Sequence, residues 1–284
     1  MITEIKHNTL KKLLKKRDKN SHKGDNGRLL IIGGSIEYYA PPVLAAMAAQ
    51  RVGVDLVSLF VPEVNFDVTR GHLKDAIVRR YPGEYLSERY VEQILKYAKK
   101  NVNAVLIGPG LSGREKTLIS VLDILRELKL PTVLDASAIS VLKRIKKFPL
   151  DQEIVITPHG NEFKSLVDKD MNVDMNDSKS MIFLRSIAMD LGINILLKGP
   201  VDYVASSEGV IEFNKTGNSG MTVGGTGDVL AGAVAGFLAQ GYGAYQASRL
   251  GAYFVGKAGD RLKRRMGNSF LASEVADELY KVIK

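Results

Sequence analysis

"RLLIIGGSIEYYAPPVLAAMAAQRVGVDLVSLFV", residues 28–61, decides the fold class. "RLLIIGG" is a short apolar run closed by glycines and reads as a buried strand. "PPVLAAMAAQRVG" reads as a helix, with Pro41 and Pro42 in its first turn and Gly53 ending it. "VDLVSLFV" is a second apolar strand. Strands apolar on every residue, joined through a helix, belong in a parallel sheet covered on both faces.

Downstream, the alternation continues. "DAIVRRY", "NAVLIGPG", "PTVLDA", "EIVITPH" and "INILLKG" read as strands. "SERYVEQILKYAKK", "EKTLISVLDILRELK", "ISVLKRIKK", "NEFKSLV" and "SKSMIFLRSIAMDLG" read as helices. "DYVASSEGVIEFNK" reads as a hairpin turning near Glu208-Gly209, and three helices finish the chain. The expectation is an α/β fold with a mostly parallel central sheet and helices on both faces. No linker composition interrupts it, so residues 1–284 are expected to form a single domain that includes a basic N-terminal helix over 1–21. Ligands bind beyond the carboxyl ends of the strands in such sheets. That directs attention to the polar and glycine-rich strand ends at 33–35, 108–110, Asp135, 157–163 and 198–202.

The bulk properties exclude several classes. No apolar run reaches the roughly 18 residues that a membrane span needs. The first twenty residues are too charged for a secretory signal. Cysteine is absent, so there is no disulfide framework, thiolate nucleophile or cysteine-ligated zinc, and a cytoplasmic location is expected. The net charge of +9 is concentrated at the two ends, with eight Lys/Arg against two acids in residues 1–23. A nucleic-acid binder would carry a basic stripe with interleaved aromatics. Neither nucleic acid nor membrane is expected as a partner.

"TGNSGMTVGGTGDVLAGAVAGFLA", residues 216–239, carries the chemistry. Consecutive glycines let several N–H groups aim into one concavity, and a helix beginning near Thr226 adds free amides and its positive dipole end. A phosphate fits there. Asp228 in the first turn is favourable for dipole reasons alone. Beside a phosphate, however, a carboxylate repels the ligand and is better understood as a general base for a hydroxyl that attacks phosphorus.

The segment "GMTVGGTGDVLAG" resembles the GTGD region of the ribokinase-like superfamily, and most closely the NAD(P)H-hydrate dehydratases. "SHKGDNGRLLIIGGSIEYYAPPVLAA", "IGPGL", "LDASAI", "ITPHGNEF" and "LLKGP" follow the family's order, covering the chain from His22 onward. The resemblance implies a ribokinase-like fold and repair of the (6S) hydrates NADHX and NADPHX to NADH and NADPH. ADP or ATP would serve as co-substrate and Mg2+ as cofactor. It implies a homo-oligomer, a tetramer in relatives, and a separate NAD(P)HX epimerase as functional partner.

By resemblance, Asp228 is the base, and Gly225, Thr226 and Gly227 form the anion hole. Lys198, Gly199, Pro200, Val201 and Asp202, with Gly227, contact the adenine nucleotide. Pro41, Gly110 and His159 join Asp228 against the hydrated cofactor, with Tyr38 and Asp135 also on the substrate side. Glu162 matches a glutamate that organises magnesium through water. His22, Lys23, Gly24 and Asp25 form the loop through which ligand enters. Taken alone, Asn161 reads as a helix cap, Glu162 as a first-turn acid and His159 as structural. Four positions depart from the family pattern: Ala40 replaces a glycine, Pro41 replaces an alanine and has no N–H to donate, Ser112 replaces a glycine, and Ser137 replaces an acid. Two rival readings are a ribokinase-fold kinase of a small alcohol, such as a hydroxymethylpyrimidine or hydroxyethylthiazole, and a nucleotide sensor without turnover.

Overall fold

The computed structural model describes residues 2–167 and 177–283. Its strands are β1 (Thr3–Glu4), β2 (Arg28–Ile32), β3 (Leu56–Pro62), β4 (Ile77–Tyr81), β5 (Ala104–Ile107), β6 (Thr132–Leu134), β7 (Ile154–Ile156), β8 (Asn194–Leu197), β9 (Asp202–Ala205) and β10 (Ile211–Asn214). They form a ten-stranded sheet in the order β1-β10-β9-β8-β7-β6-β5-β2-β3-β4. The run from β8 to β4 is parallel, β9 is antiparallel to both its neighbours, and β1 pairs parallel with β10. The hairpin at 202–215, through β9, is thus the one break in an otherwise parallel ladder, and the two-residue β1, which no apolar pattern marks, joins it in parallel at the edge.

In β2, Leu29 and Ile31 face one core and Leu30 and Ile32 the other, all fully buried. Alternation of strand side chains makes both faces of this strand apolar, and both need cover. The helices supplying it are α1 (His7–Leu13), α2 (Ala40–Arg51), α3 (Phe66–His72), α4 (Val91–Asn101), α5 (Glu115–Leu128), α6 (Gly160–Val167), α7 (Ser178–Leu191), α8 (Thr226–Ala239), α9 (Ala244–Met266) and α10 (Ala272–Val282). One face is covered by α2, α8, α9 and α10; the other by α4, α5, α7 and a 3₁₀ stretch over Ala136–Arg144. That stretch was expected as an α-helix.

Among the covering helices, α8 is central. Its small residues let neighbours approach backbone to backbone: a Cβ on Gly232 would come within 2.2 Å of the Ala45 carbonyl oxygen in α2. On the other side, Gly251 of α9 lies against Val234. Clamped between α2 and α9, α8 has a fixed axis, and its N-terminus points at the carboxyl edge of the sheet.

The basic N-terminal helix is much shorter than its expected 1–21 span. Helical structure covers His7–Leu13, and two of the basic residues after it, Lys15 and Arg17, have specific partners. Lys15 Nζ donates to the carbonyl oxygen of Gly241 at 2.6 Å and Arg17 donates to that of Gly53 at 2.6 Å. These carbonyls follow the C-terminal ends of α8 and α2, where helices leave acceptors unsatisfied and the dipole favours cations. The segment unwinds because extended backbone reaches both helix ends at once. The loop containing His22 and Gly24 is also away from its expected place. Gly24 N and Asn26 N donate to Asp55 Oδ2 (both 3.0 Å), which holds the loop at the amino end of β2, opposite the carboxyl edge.

Candidate active site

Along the carboxyl edge, three adjacent strands each place a polar residue immediately after their last strand position. Asp135 follows β6, Thr157 follows β7 and Lys198 follows β8. Asp135 Oδ1 accepts from Thr157 Oγ1 at 2.6 Å and from Lys198 Nζ at 3.1 Å. Glu162 Oε2 is 4.0 Å from the same ammonium. Burial opposes the charge on Lys198, but Asp135, then Glu162 and Asp228, outweigh it and hold the ammonium above its ordinary value. Asp135 was expected either to face substrate or to cap the helix after it, and its side chain makes no cap bond. It is buried and directed at Thr157 and Lys198 instead.

The N-terminus of α8 lies beside that ammonium, since a Cβ on Gly227 would be 3.4 Å from Lys198 Nζ. Gly225 caps the helix at φ +95°, a conformation that glycine adopts without steric cost. The amides of Gly225, Gly227 and Asp228 have no protein acceptor among the described residues, whereas Thr226 N turns back to the Val223 carbonyl oxygen at 3.5 Å. The Asp228 carboxylate forms no hydrogen bond or ion pair among the described residues. Burial first, and the Asp135 charge second, push its carboxyl up to about 7, with Lys198 pulling the other way.

A cavity of about 500 Å³ opens next to this helix end. Lys198, Gly199, Pro200, Asp202, Thr226 and Gly227 border it on the polar side; Met221, Leu230, Ala252 and Val255 make its apolar floor. Val201 is outside the lining, unlike its four neighbours in the 198–202 segment. Asp202 supports the wall. It accepts from Gly199 N (3.1 Å) and from the Nδ2 of buried Asn214 (3.1 Å), and burial pushes it up to about 6. A mostly apolar slot ending in free amides and an ammonium suits a flat base at one end and phosphates at the other.

Tyr38, Pro41 and Gly110 meet on the other side of the helix end. A Cβ on Gly110 would be 3.1 Å from Tyr38 Cβ and 3.2 Å from Pro41 Cβ. From α2, Leu44 reaches the loop, where a Cβ on Gly225 would be 2.5 Å from its Cδ1. Tyr38 is 58% exposed and leaves a ring face open. Asn161 does not cap α6. His159 does, its Nδ1 accepting from Asn161 N (3.1 Å) and Glu162 N (3.3 Å), while Glu162 Oε2 accepts from His159 N (2.8 Å). With Nδ1 engaged as an acceptor, the ring proton belongs on Nε2.

The family model of NAD(P)H-hydrate dehydratases matches residues 29–281. This chain belongs to that family. It is 32% identical over 281 residues to the ADP-dependent (S)-NAD(P)H-hydrate dehydratase of Cenarchaeum symbiosum, covering 99% of this chain and 96% of that one. It is 36% identical over 273 residues to the bifunctional NAD(P)H-hydrate repair enzyme of Methanothermobacter thermautotrophicus, and it spans 51% of that relative's length. The chain spans about half the length of the bifunctional relatives it matches. Among solved structures, the ADP/ATP-dependent NAD(P)H-hydrate dehydratase of Bacillus subtilis, co-crystallised with ATP/Mg2+, superposes with a TM-score of 0.84 at 26% identity, covering 99% of this chain and 97% of that one. The fold is ribokinase-like α/β.

Several site residues escape sequence reasoning. Thr157 stands in the quoted "ITPHGNEF", but nothing local gives it a partner. Thr216, Asn218 and Met221 line the cavity from within the glycine-rich stretch. Asp260 accepts from Gly217 N (3.3 Å) and Asn218 Nδ2 (3.1 Å) and so fixes their loop from α9. No motif marks Asp260, because its role exists only once α9 packs beside that loop.

Proposed function

We propose that this protein dehydrates the (6S) hydrates of NADH and NADPH at the expense of ADP or ATP. One observation carries the reading: Asp228, desolvated and without a partner, shares the first turn of α8 with free amides at the mouth of an apolar slot. A carboxylate that only balanced the helix dipole would be solvated or paired. In this reading Asp228 takes the proton of the C6 hydroxyl, whose oxygen then bonds to the terminal phosphorus. The bond from that phosphorus to its bridging oxygen breaks, releasing AMP from ADP or ADP from ATP. The free amides of Gly225, Gly227 and Asp228 hold the charge of the transferred group, Thr226 N being turned to Val223 instead of the expected anion hole, and Lys198 adds its ammonium. The C6–O bond breaks next, with phosphate leaving with the electron pair. Loss of a C5 proton restores the ring double bond. Phosphate leaves readily where hydroxide does not, which is the chemical reason for spending a nucleotide.

The nucleotide occupies the 500 Å³ cavity, along Lys198–Pro200 and Gly227, with Asp202 bracing the turn. The substrate ring lies against Tyr38, Pro41, Gly110 and His159, whose Nε2 is 3.4 Å from Glu162 Oε1. No three metal-ligating side chains converge among the described residues. Glu162 alone, half-buried beside the phosphate end, fits a magnesium ion carried mainly by phosphates and water. When bound, that ion neutralises phosphate charge. The same reading takes residues 1–284 as one domain of a cytoplasmic homo-oligomer, working with a separate epimerase. No described helix is long and apolar enough to cross a membrane.

The test supplies purified protein with the hydrate of NADH and either ADP or ATP and follows the return of NADH absorbance. Recovery with one nucleotide, reduced about 10²–10⁴-fold in Asp228→Asn, supports the reading. Phosphorylation of a small alcohol without dehydration would mark a kinase, and nucleotide binding without turnover of any hydrate a sensor.

A further inference from the structure

We propose that Asp135 and Thr157 form a buried positioning pair that fixes the Lys198 ammonium over the N-terminus of α8, where it meets the terminal phosphoryl group of the nucleotide and stays off Asp228. The inference rests on the nucleotide reading above and goes beyond it, since it assigns neither residue to substrate.

The sheet itself supplies the geometry. β6, β7 and β8 are parallel neighbours; the β6–β7 register sets Asp135 beside Thr157, and Lys198 pairs with His159, two residues beyond Thr157, so its side chain reaches back to the Asp135 carboxylate. Backbone bonds lock all three positions: Asp135 N donates to the Ile107 carbonyl oxygen (3.0 Å), Thr157 N to that of Leu134 (3.2 Å) and Lys198 N to that of Pro158 (2.8 Å). Thr157 and Asp135 are 0% and 3% exposed, so water does not satisfy them. The single hydroxyl proton of Thr157 goes to Asp135 Oδ1, the oxygen that also takes the ammonium. This bond sets the carboxylate's orientation, and the carboxylate in turn sets where the long, flexible lysine ends.

Placement of the ammonium matters because three carboxylates surround it. Asp135 and Glu162 pair with it directly, and Asp228 feels its charge. Lysine has three rotatable donors on a flexible stem. Without a fixed partner on the neighbouring strand ends, the ammonium would swing to Asp228, where it would pair with the base and leave the phosphate end of the slot. Asp135 prevents this by holding Nζ at 3.1 Å, on the Gly227 side of the helix end. Misplacement of a catalytic charge by about 1 Å costs on the order of 10²-fold in rate.

Thr157→Val removes the hydroxyl and keeps the shape. The expected result is a fall in kcat of about 10- to 100-fold, with KM for the hydrate changed less than about threefold. Thr157→Ser restores kcat to within about threefold of wild type, because it returns the donor. A second arm uses no hydrate. Calorimetry compares AMP with a non-transferring analogue of whichever nucleotide wild type binds more tightly. Thr157→Val weakens the analogue about tenfold and leaves AMP unchanged, since AMP lacks the terminal phosphoryl group. If the dehydratase reading fails, this arm still decides the positioning role. Asp135→Asn takes the same two measurements if Thr157→Val does not fold. Wild-type kcat in a folded Thr157→Val protein, equal loss of AMP and analogue, or no rescue by serine overturns the proposal.

Discussion

At the residue scale, the site contrasts two aspartates. Asp135 is bonded to a hydroxyl and an ammonium, whereas Asp228 has no partner and is pushed up to about 7 by burial and by the Asp135 charge. A base at about 7 predicts activity that climbs with pH below neutrality and levels off above about pH 8, with a single ionisation on the acid limb of kcat/KM. The same shift has a stability consequence. The unfolded chain ionises this carboxyl near 3.8 and the folded chain at about 7, so the group favours folding at acid pH and loses that contribution as pH rises between those values. Asp228→Asn is therefore expected to raise stability at pH 8 by about 1–2 kcal/mol, less than the shift alone implies because the group is partly solvated. The gain should shrink to nothing near pH 4. Urea melts at both pH values check this, and an Asn variant that is less stable at pH 8 would contradict the assignment of Asp228 as an unpaired, desolvated acid.

At the element scale, α8 works as a rigid pointer because glycine and alanine let α2 and α9 close on it. Gly232→Ala sets two effects against each other. Alanine improves helix propensity by about 1 kcal/mol. Its Cβ, however, would stand 2.2 Å from the Ala45 carbonyl oxygen and 2.5 Å from Ala45 Cα, all main-chain atoms that cannot swing aside. Overpacking of this kind costs about 1–3 kcal/mol or more. The second effect wins, and a net loss of about 1–2 kcal/mol is expected in chemical denaturation. Gly225→Ala fails for two reasons, its φ of +95° and the Leu44 side chain at 2.5 Å. Because Leu44 belongs to α2, which also bears Pro41, that substitution should raise KM for the hydrate as well as lowering kcat.

At the scale of the whole molecule, the net charge of +9 is partly structural. Lys15 and Arg17 fasten the N-terminal segment to the C-terminal ends of α8 and α2, at the pole opposite the site. Lys15→Ala should cost about 0.5–1.5 kcal/mol in thermal or urea unfolding and leave KM values unchanged. Nucleotide binding should raise Tm through the cavity between the hairpin, α8 and α9. Gly256→Val should remove that rise, since a Cβ there would lie 2.2 Å from Thr216 Oγ1 on the cavity wall.

The amino-acid order by itself determined the alternation of apolar strands and helices, the break at the hairpin, and the glycine-rich start of α8 with Asp228 in its first turn. These are local properties, set by periodicity, by glycine's access to positive φ and by the free amides of a helix end. Family membership was legible for the same reason, since its motifs are contiguous runs. Only the tertiary structure decided that His159 and not Asn161 caps α6, that the basic segment clamps two helix ends instead of continuing α1, and that Asp135 faces Thr157 and Lys198. Each of those outcomes depends on an acceptor or a charge contributed by another part of the chain. Whether a polar side chain caps, clamps or catalyses follows from which partner is nearest after packing, and the spacing of residues along one segment does not contain that distance.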